Sequence, residues 1–328
     1  MKRLIQPLSV LSLACLLIAG CAKDDALSRP GGEAPDGQPV PLSVSNADVQ
    51  VSEAATRGTA GSTRAATTSL SDGSSIGVFL ANATGVTTYT PKNNVCYKRT
   101  SGTWNATGEQ IYLTLEDAAV CAYYPYSNTV TDSKNVILTP TLLADGIEPL
   151  AYATNVPANS TKQHVTFNLQ QACSWLVLNI TRGNVPDDIN LTDIVLAGSG
   201  LSKEYKLDIT TGTSSGQTAA DGGKITFTLP AEVPLPANTT SPNPVVFNLS
   251  MPPTTSAISD GLTIGVKIKE YNKMMSTTIP ALTALNRGYK YKVNLTVDGT
   301  AMTATSVEVI AWKTSIVNNS GNPWIPLP

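Results

Sequence analysis

From about residue 75 onward the chain alternates short apolar runs with turn residues. Ile76-Gly77-Val78-Phe79-Leu80, Gln110-Ile111-Tyr112-Leu113-Thr114-Leu115 and Val120-Cys121-Ala122-Tyr123-Tyr124 are runs of strand length. Later stretches show a strict period of two. Val165, Phe167 and Leu169 are separated by Thr166 and Asn168, and Tyr289, Tyr291, Val293, Leu295 and Val297 alternate with Lys290, Lys292, Asn294 and Thr296. Ile225, Phe227 and Leu229 behave likewise, as do Ile264, Val266 and Ile268. This period is that of antiparallel strands with one buried and one wet face. Asp-Gly pairs at 72–73, 145–146, 221–222, 260–261 and 298–299 are natural turns between them. No window keeps helical spacing for three turns. The pattern predicts an all-β chain of two tandem β-sandwiches. The turn-rich stretch from Gly183 to Asp188 is the expected boundary, giving a first sandwich over 40–183 and a second, with a C-terminal appendage, over 184–328.

Composition narrows the function classes. The 328 residues carry 22 Lys+Arg against 24 Asp+Glu, a net charge of −2, so the broad basic field that nucleic-acid binding needs is missing. Only 14% of residues are charged and 41% are hydrophobic, enough for packed cores beneath a neutral polar surface. There is no P-loop, GxSxG elbow or Rossmann glycine pattern. His164 is the single histidine and heads a strand, which reads as a structural edge position. Asp187 and Asp188 would point to opposite faces of an extended chain and make a poor acid/base pair. The sequence therefore predicts a non-enzyme with no cofactor. No CxxC pair marks a metal site.

The N-terminus reads as an address. Lys2 and Arg3 precede an apolar stretch from Leu8 to Ala19, the layout of a secretory signal peptide over 1–20, and that stretch is too short to span a membrane. The exit Leu17-Ile18-Ala19-Gly20-Cys21 resembles a bacterial lipobox, which makes Cys21 the lipidation site and gives the mature chain a fatty-acyl (palmitate) anchor at the outer membrane. Residues 21–39, rich in Gly, Pro and Ala, are a tether, and Lys23-Asp24-Asp25 resembles a surface-export signal. Cys96, Cys121 and Cys173 remain for the body. Cys121 and Cys173 sit in apolar surroundings as expected inert thiols, and a Cys96–Cys121 disulfide is left open.

One segment reads as built for processing. Arg57 and Arg64 stand among small residues with no proline between Glu53 and Leu70, the kind of stretch proteases cut, and they suit an arginine-specific protease. Just upstream, Leu42 and Val44, then Val49 and Val51, form two short alternating runs separated by Asn46-Ala47-Asp48. If these pair with the first sandwich, a cut at Arg57 or Arg64 lets them leave and uncovers three or four aliphatic side chains, about 5–10 kcal/mol of burial. An opened sheet with an apolar groove accepts an added strand.

In these residues the chain resembles the fimbrillin family of lipoprotein pilins. The resemblance rests on the lipobox ending at Cys21, on Thr56-Arg57-Gly58 and Thr63-Arg64-Ala65, and on Ile76-Gly77-Val78-Phe79. It continues through Trp104, Ile111-Tyr112, Ala122-Tyr123-Tyr124-Pro125-Tyr126, Leu285-Asn286-Arg287-Gly288-Tyr289-Lys290-Tyr291 and Val307-Glu308-Val309-Ile310-Ala311-Trp312. It implies two transthyretin-like (Greek-key) sandwiches, lipid-anchored export, arginine-specific cleavage and strand exchange with other pilin subunits in a fimbria serving adhesion or colonisation. Leu169-Gln170-Gln171 stands where many members carry Phe-x-His. In the tail, Ile316 and Val317 within Thr314–Asn319 are candidate donor-strand residues. Trp324, Ile325 and Leu327 either plug a groove or fold back on the second domain, since Pro323, Pro326 and Pro328 cannot donate ladder hydrogen bonds. The paired arginines favour a stalk or tip subunit. The alternative is a monomeric surface lipoprotein that binds glycans on exposed aromatic side chains.

Overall fold

Alternating apolar and polar positions separated by turns leave the backbone one economical solution, a ladder with one face inward. The computed structural model describes residues 38–50, 67–144, 149–185, 188–237, 243–299 and 301–311, and these are nearly all strand. The first half contributes β1 (Val40–Pro41), β2 (Ser43–Gln50), β3 (Thr67–Ser69), β4 (Ser75–Asn82), β5 (Lys92–Thr100) and β6 (Thr103–Ala106). It continues with β7 (Tyr112–Leu113), β8 (Ala118–Tyr124), β9 (Val136–Leu138), β10 (Thr141–Leu143), β11 (Ala151–Ala158) and β12 (His164–Gln171). The second half contributes β13 (Ser174–Arg182), β14 (Ile189–Ala197), β15 (Ser202–Asp208), β16 (Thr213–Ala219) and β17 (Lys224–Leu235). It closes with β18 (Val245–Met251), β19 (Leu262–Ile268), β20 (Lys273–Ile279), β21 (Tyr289–Asp298) and β22 (Ala301–Ala311).

The first unit is a ladder in the order β3-β2-β12-β11-β8-β4-β5-β6. β11 and β12 share only the pairs Ala151–Gln171 and Tyr152–Gln170, so the ladder bends there and β6 comes back against β2. One core fills the fold: Val165, Phe167 and Leu169 of β12 meet Ile76, Val78 and Leu80 of β4, Tyr97 of β5 and Trp104 of β6. The alternation predicted for β12 holds, with its odd-numbered residues buried and His164, Thr166 and Asn168 exposed. β4 and β8 are apolar on both faces for a different reason. Their second face, carrying Phe79, Cys121 and Tyr123, packs on a third cluster with Leu207 and Ile209 of the second unit.

The second unit packs a five-stranded sheet, β10-β18-β13-β21-β22, on a four-stranded one, β17-β14-β19-β20. The predicted alternation of Ile225, Phe227 and Leu229, and of Tyr291, Val293, Leu295 and Val297, places those residues in its core. Gly261 and Gly299, in two of the predicted Asp-Gly turns, take positive φ of 81° and 57°.

The expected boundary at Gly183 is displaced. β13 lies inside the five-stranded sheet, antiparallel to β18 and parallel to β21, so the chain passes between units at Ala172–Cys173 and Gly183–Val185 belongs to a turn inside the second unit. The first unit's β9 also pairs with β15, and β10 with β18. A turn-rich sequence marks where the chain reverses, not where a core ends. Arg287 ties the units further: its Nη1 donates to the Tyr152 hydroxyl (2.6 Å) and Gly212 O (2.8 Å), and its Nη2 to the Tyr205 hydroxyl (3.1 Å).

Candidate strand-exchange site

The N-terminal segment is an integral part of the first sandwich. β1 pairs with β7 through Val40–Leu113 and Pro41–Tyr112. The chain then changes partner: the Leu42 N–H donates to Ile111 O (2.8 Å) and the Ser43 N–H to Gln163 O (3.0 Å). From there β2 runs parallel to β12, from Ser43–His164 to Val49–Leu169. On its other side β3 runs antiparallel, pairing Asp48 with Ser69 and Gln50 with Thr67. Ser69 Oγ donates to Asp48 Oδ1 (2.6 Å) and the Leu70 N–H to Ala47 O (3.2 Å). β2 is therefore paired along its length on the β12 side and from Ala47 to Gln50 on the β3 side. It is an interior strand that happens to lie near the start of the chain.

Its inward face is fully used. Leu42 (3% exposed), Val44 (5%), Ala47 (0%) and Val49 (1%) join the first core together with Val40 and Leu70. Of the predicted exchange residues, Leu42, Val44 and Val49 are thus brought together on one face. The two runs read from the sequence are in fact one strand. The register shifts between Val165 and Thr166, so that Ser45 is an extra residue on β2. That bulge changes the phase of the alternation and turns Ala47 inward. A small residue in a polar stretch gave no hydrophobic signal, which is why Asn46-Ala47-Asp48 read as a separator.

Three side chains that sequence patterning did not single out hold this segment. Gln110 Nε2 donates to Leu42 O (3.2 Å) and to the Tyr97 hydroxyl (3.2 Å), and that hydroxyl lies 3.5 Å from Leu42 O. Burial pushes the Tyr97 phenol up to about 12, so it stays neutral. On the far flank Arg99 Nη1 donates to Leu70 O, and its Nε stands 3.5 Å from Asp72 Oδ1.

Val51, Arg57, Arg64 and Cys21 lie outside the described residues, as do Ile316, Val317, Trp324, Ile325 and Leu327. The connection from β2 to β3, residues 51–66, is nevertheless the stretch of sequence that carries both arginines. His164 is exposed and stands beside Ser43 at the start of β12. Asp187 is outside the described residues, and Asp188 pairs with buried Arg182 at 2.9 Å. Among the described residues no group of three or more His, Cys, Asp or Glu could hold a metal ion. Cys96, Cys121 and Cys173 are free thiols. β4 lies between the strands bearing Cys96 and Cys121, which puts them two ladder spacings apart, about 10 Å, beyond disulfide reach. Of the aromatic side chains the glycan-binding alternative would draw on, Tyr112 and Tyr271 are exposed. Trp104 is buried in the first core, and Lys290 Nζ sits 4.2 Å over the Trp175 ring.

A family model described as fimbrillin-like matches residues 63–312. The chain belongs to the fimbrillin-like family. Its fold recurs in a protein of Bacteroides ovatus described as a "putative cell adhesion protein", at 16% identity and a TM-score of 0.54, covering 85% of this chain and 99% of that one. Similarly described proteins of Bacteroides uniformis (17% identity, TM-score 0.52, 82% and 100% covered) and Bacteroides fragilis (14%, 0.52, 85% and 100%) share it. A comparison with curated proteins found no match. Membership of the fimbrillin-like family gives this chain a pilin-type role at the cell surface, in assembly with other subunits.

Proposed function

We propose that this fimbrillin-like chain is a stalk or tip subunit whose own β1–β2 segment is a placeholder for a strand of a neighbouring subunit. In this reading Cys21 carries the acyl anchor to the outer membrane during export, and an arginine-specific protease cuts after Arg57 or Arg64. The released segment takes Val40, Leu42, Val44, Ala47 and Val49 out of the core, and the opened slot between β12 and β3 is filled in trans. The observation that supports it is the interior position of β2 between two strands, with both arginines in the connection that a protease would have to break. Four Val or Leu side chains leaving the core forfeit about 6–12 kcal/mol, an upper bound because the unfolded reference already buries some surface. Such a slot does not stay empty in water.

Limited digestion with an arginine-specific protease tests the reading. The expected outcome is a new N-terminus after Arg57 or Arg64 by Edman sequencing, followed by concentration-dependent fibres in size-exclusion and electron-microscopy assays. A chain trimmed at those positions that stays monomeric at every concentration, with residues 38–50 still bound, would overturn it. Replacing Arg57 and Arg64 together by Ala is expected to abolish both trimming and fibres.

A further inference from the structure

We propose that the chain's own residues 324–328 dock as an added edge strand on the second unit, in an apolar groove at the open side of its sandwich. The site is separate from the β2 position in the first unit. The two sheets of the second unit close on one side, where β20 packs on β22, and part on the other, where β10 and β17 are the edge strands. Two irregularities open that side. β18 pairs with β13 along Val245–Met251, while β10 covers only Asn248, Leu249 and Ser250, so among the described residues Val245, Val246 and Phe247 have no strand beyond them. Across the gap β17 bulges. Val233 stands beside Leu191 and Thr228 beside Asp193, which pushes residues 229–232 out of the ladder. Between the edges lies a groove of about 400 Å³ whose lining includes Leu142, Leu143, Leu229, Val233, Val246 and Phe247 and carries no charged residue. Val246 is 49% exposed. A bare strand edge beside apolar side chains is a template for an extended segment.

The length of chain beyond β22 and its chemistry name the occupant. One row of partners crosses the five-stranded sheet, Ile310–Lys290–Trp175–Ser250–Thr141. The strand that leads into the tail is therefore four ladder spacings, about 19 Å, from β10. The chain from Ala311 to Trp324 can extend about 43 Å, enough to cross the sheet and reach Leu143, which lies two residues further along β10 than Thr141. Trp324-Ile325-Pro326-Leu327-Pro328 is apolar and uncharged, like the groove. Its prolines fall on the right parity for an edge. In an extended strand the N–H groups of Ile325 and Leu327 point to one side and can pair with β18, while Pro326 and Pro328, which have none, take the solvent side. Ile325 and Leu327 also share one face, so both side chains enter the groove together. A segment on the same chain is present at an effective concentration of the order of millimolar, well above that of a dilute second copy.

Thiol labelling of a Val246→Cys variant tests this, with maleimide modification at that site followed by peptide mapping. The uncut full chain is compared with a chain ending at Trp312 and with a full chain carrying Leu327→Asp. The full chain is expected to label at least about tenfold more slowly than either, the protection given by a segment docked about nine-tenths of the time. Ile137→Cys, at an exposed position of β9 in a different sheet, is expected to label at one rate in all three, which separates local docking from a general loosening of the fold. Equal labelling of Val246→Cys in the three chains overturns the proposal, and so does a difference that appears equally at Ile137→Cys. Protection that disappears on dilution overturns it too, because the groove would then belong to the tail of a second copy. Nothing is cut at Arg57 or Arg64 in these measurements, so each of these failures leaves the strand-exchange reading standing.

Discussion

A Cβ added at Gly77 would lie 2.2 Å from Tyr123 Cε1 and 2.4 Å from Asn94 Oδ1. The ring cannot yield easily, because the Tyr123 hydroxyl sits 2.7 Å from Ser127 O and 2.9 Å from Asn94 Oδ1 and also accepts the Ser127 N–H at 3.0 Å. Gly77→Ala is therefore expected to destabilise the chain by about 1–3 kcal/mol in urea titrations. Gly108→Ala, where a Cβ meets nothing within 4 Å, is expected to be near neutral. Burial also sets the response to base. It pushes the Cys121 thiol from 9.0 to about 12, and the Tyr97 and Tyr123 phenols from 10.0 to about 12. Each raised value favours the neutral form, so the contribution to stability is whole below about pH 9 and drains away as pH climbs towards 12. Urea midpoints are expected to be level between pH 7 and 9 and to fall steadily above that. The burial of Cys121 and Cys173 was legible from their apolar neighbours. The close approach at Gly77 was not, since it depends on a tyrosine from a strand more than forty residues away.

β2 is where sequence and structure come nearest to agreeing and then part. The apolar residues Leu42, Val44 and Val49 announce a strand, and the structure places all three on the core face. What patterning could not convey is a bulge, because Ser45 looks like any other polar position until its partner strand is known. The same limit hid Gln110 and Arg99, which act on the segment through backbone carbonyls and leave no periodic trace. Leu42→Ala is expected to cost about 2–5 kcal/mol in the uncut chain. In the cut chain the same substitution is expected to speed release of the β1–β2 peptide, measured by the appearance of the free peptide on size exclusion. Equal release rates for the two chains would mean that the apolar face does not hold the segment.

The two units behave as one body because their chains interlace. β9 and β10 leave the first unit to pair with strands of the second, and a shared cluster of Phe79, Tyr123, Tyr152, Tyr205 and Leu207 fills the junction. Arg287, which donates across that junction to the Tyr152 hydroxyl while its other bonds to Gly212 O and the Tyr205 hydroxyl stay inside the second unit, is expected to couple their unfolding. Calorimetry should give one cooperative transition for the native chain, and Arg287→Met, which leaves two tyrosine hydroxyls without a donor, is expected to weaken the junction by about 2–4 kcal/mol and split the transition in two. The all-β character was legible from the alternation, yet the path of the chain between the sheets was not. β9 and β10 are three residues each, too short to show a period, and β13 finds its parallel partner β21 more than a hundred residues later. One consequence of the β2–β3 connection concerns direction in time. While residues 51–66 are unbroken, a departing β2 remains tethered at an effective concentration of the order of millimolar and promptly returns. A single peptide-bond hydrolysis turns that return into an encounter between two separate molecules in a dilute exterior. Proteolysis here would act as a ratchet: it adds no driving force to departure, and it removes the way back.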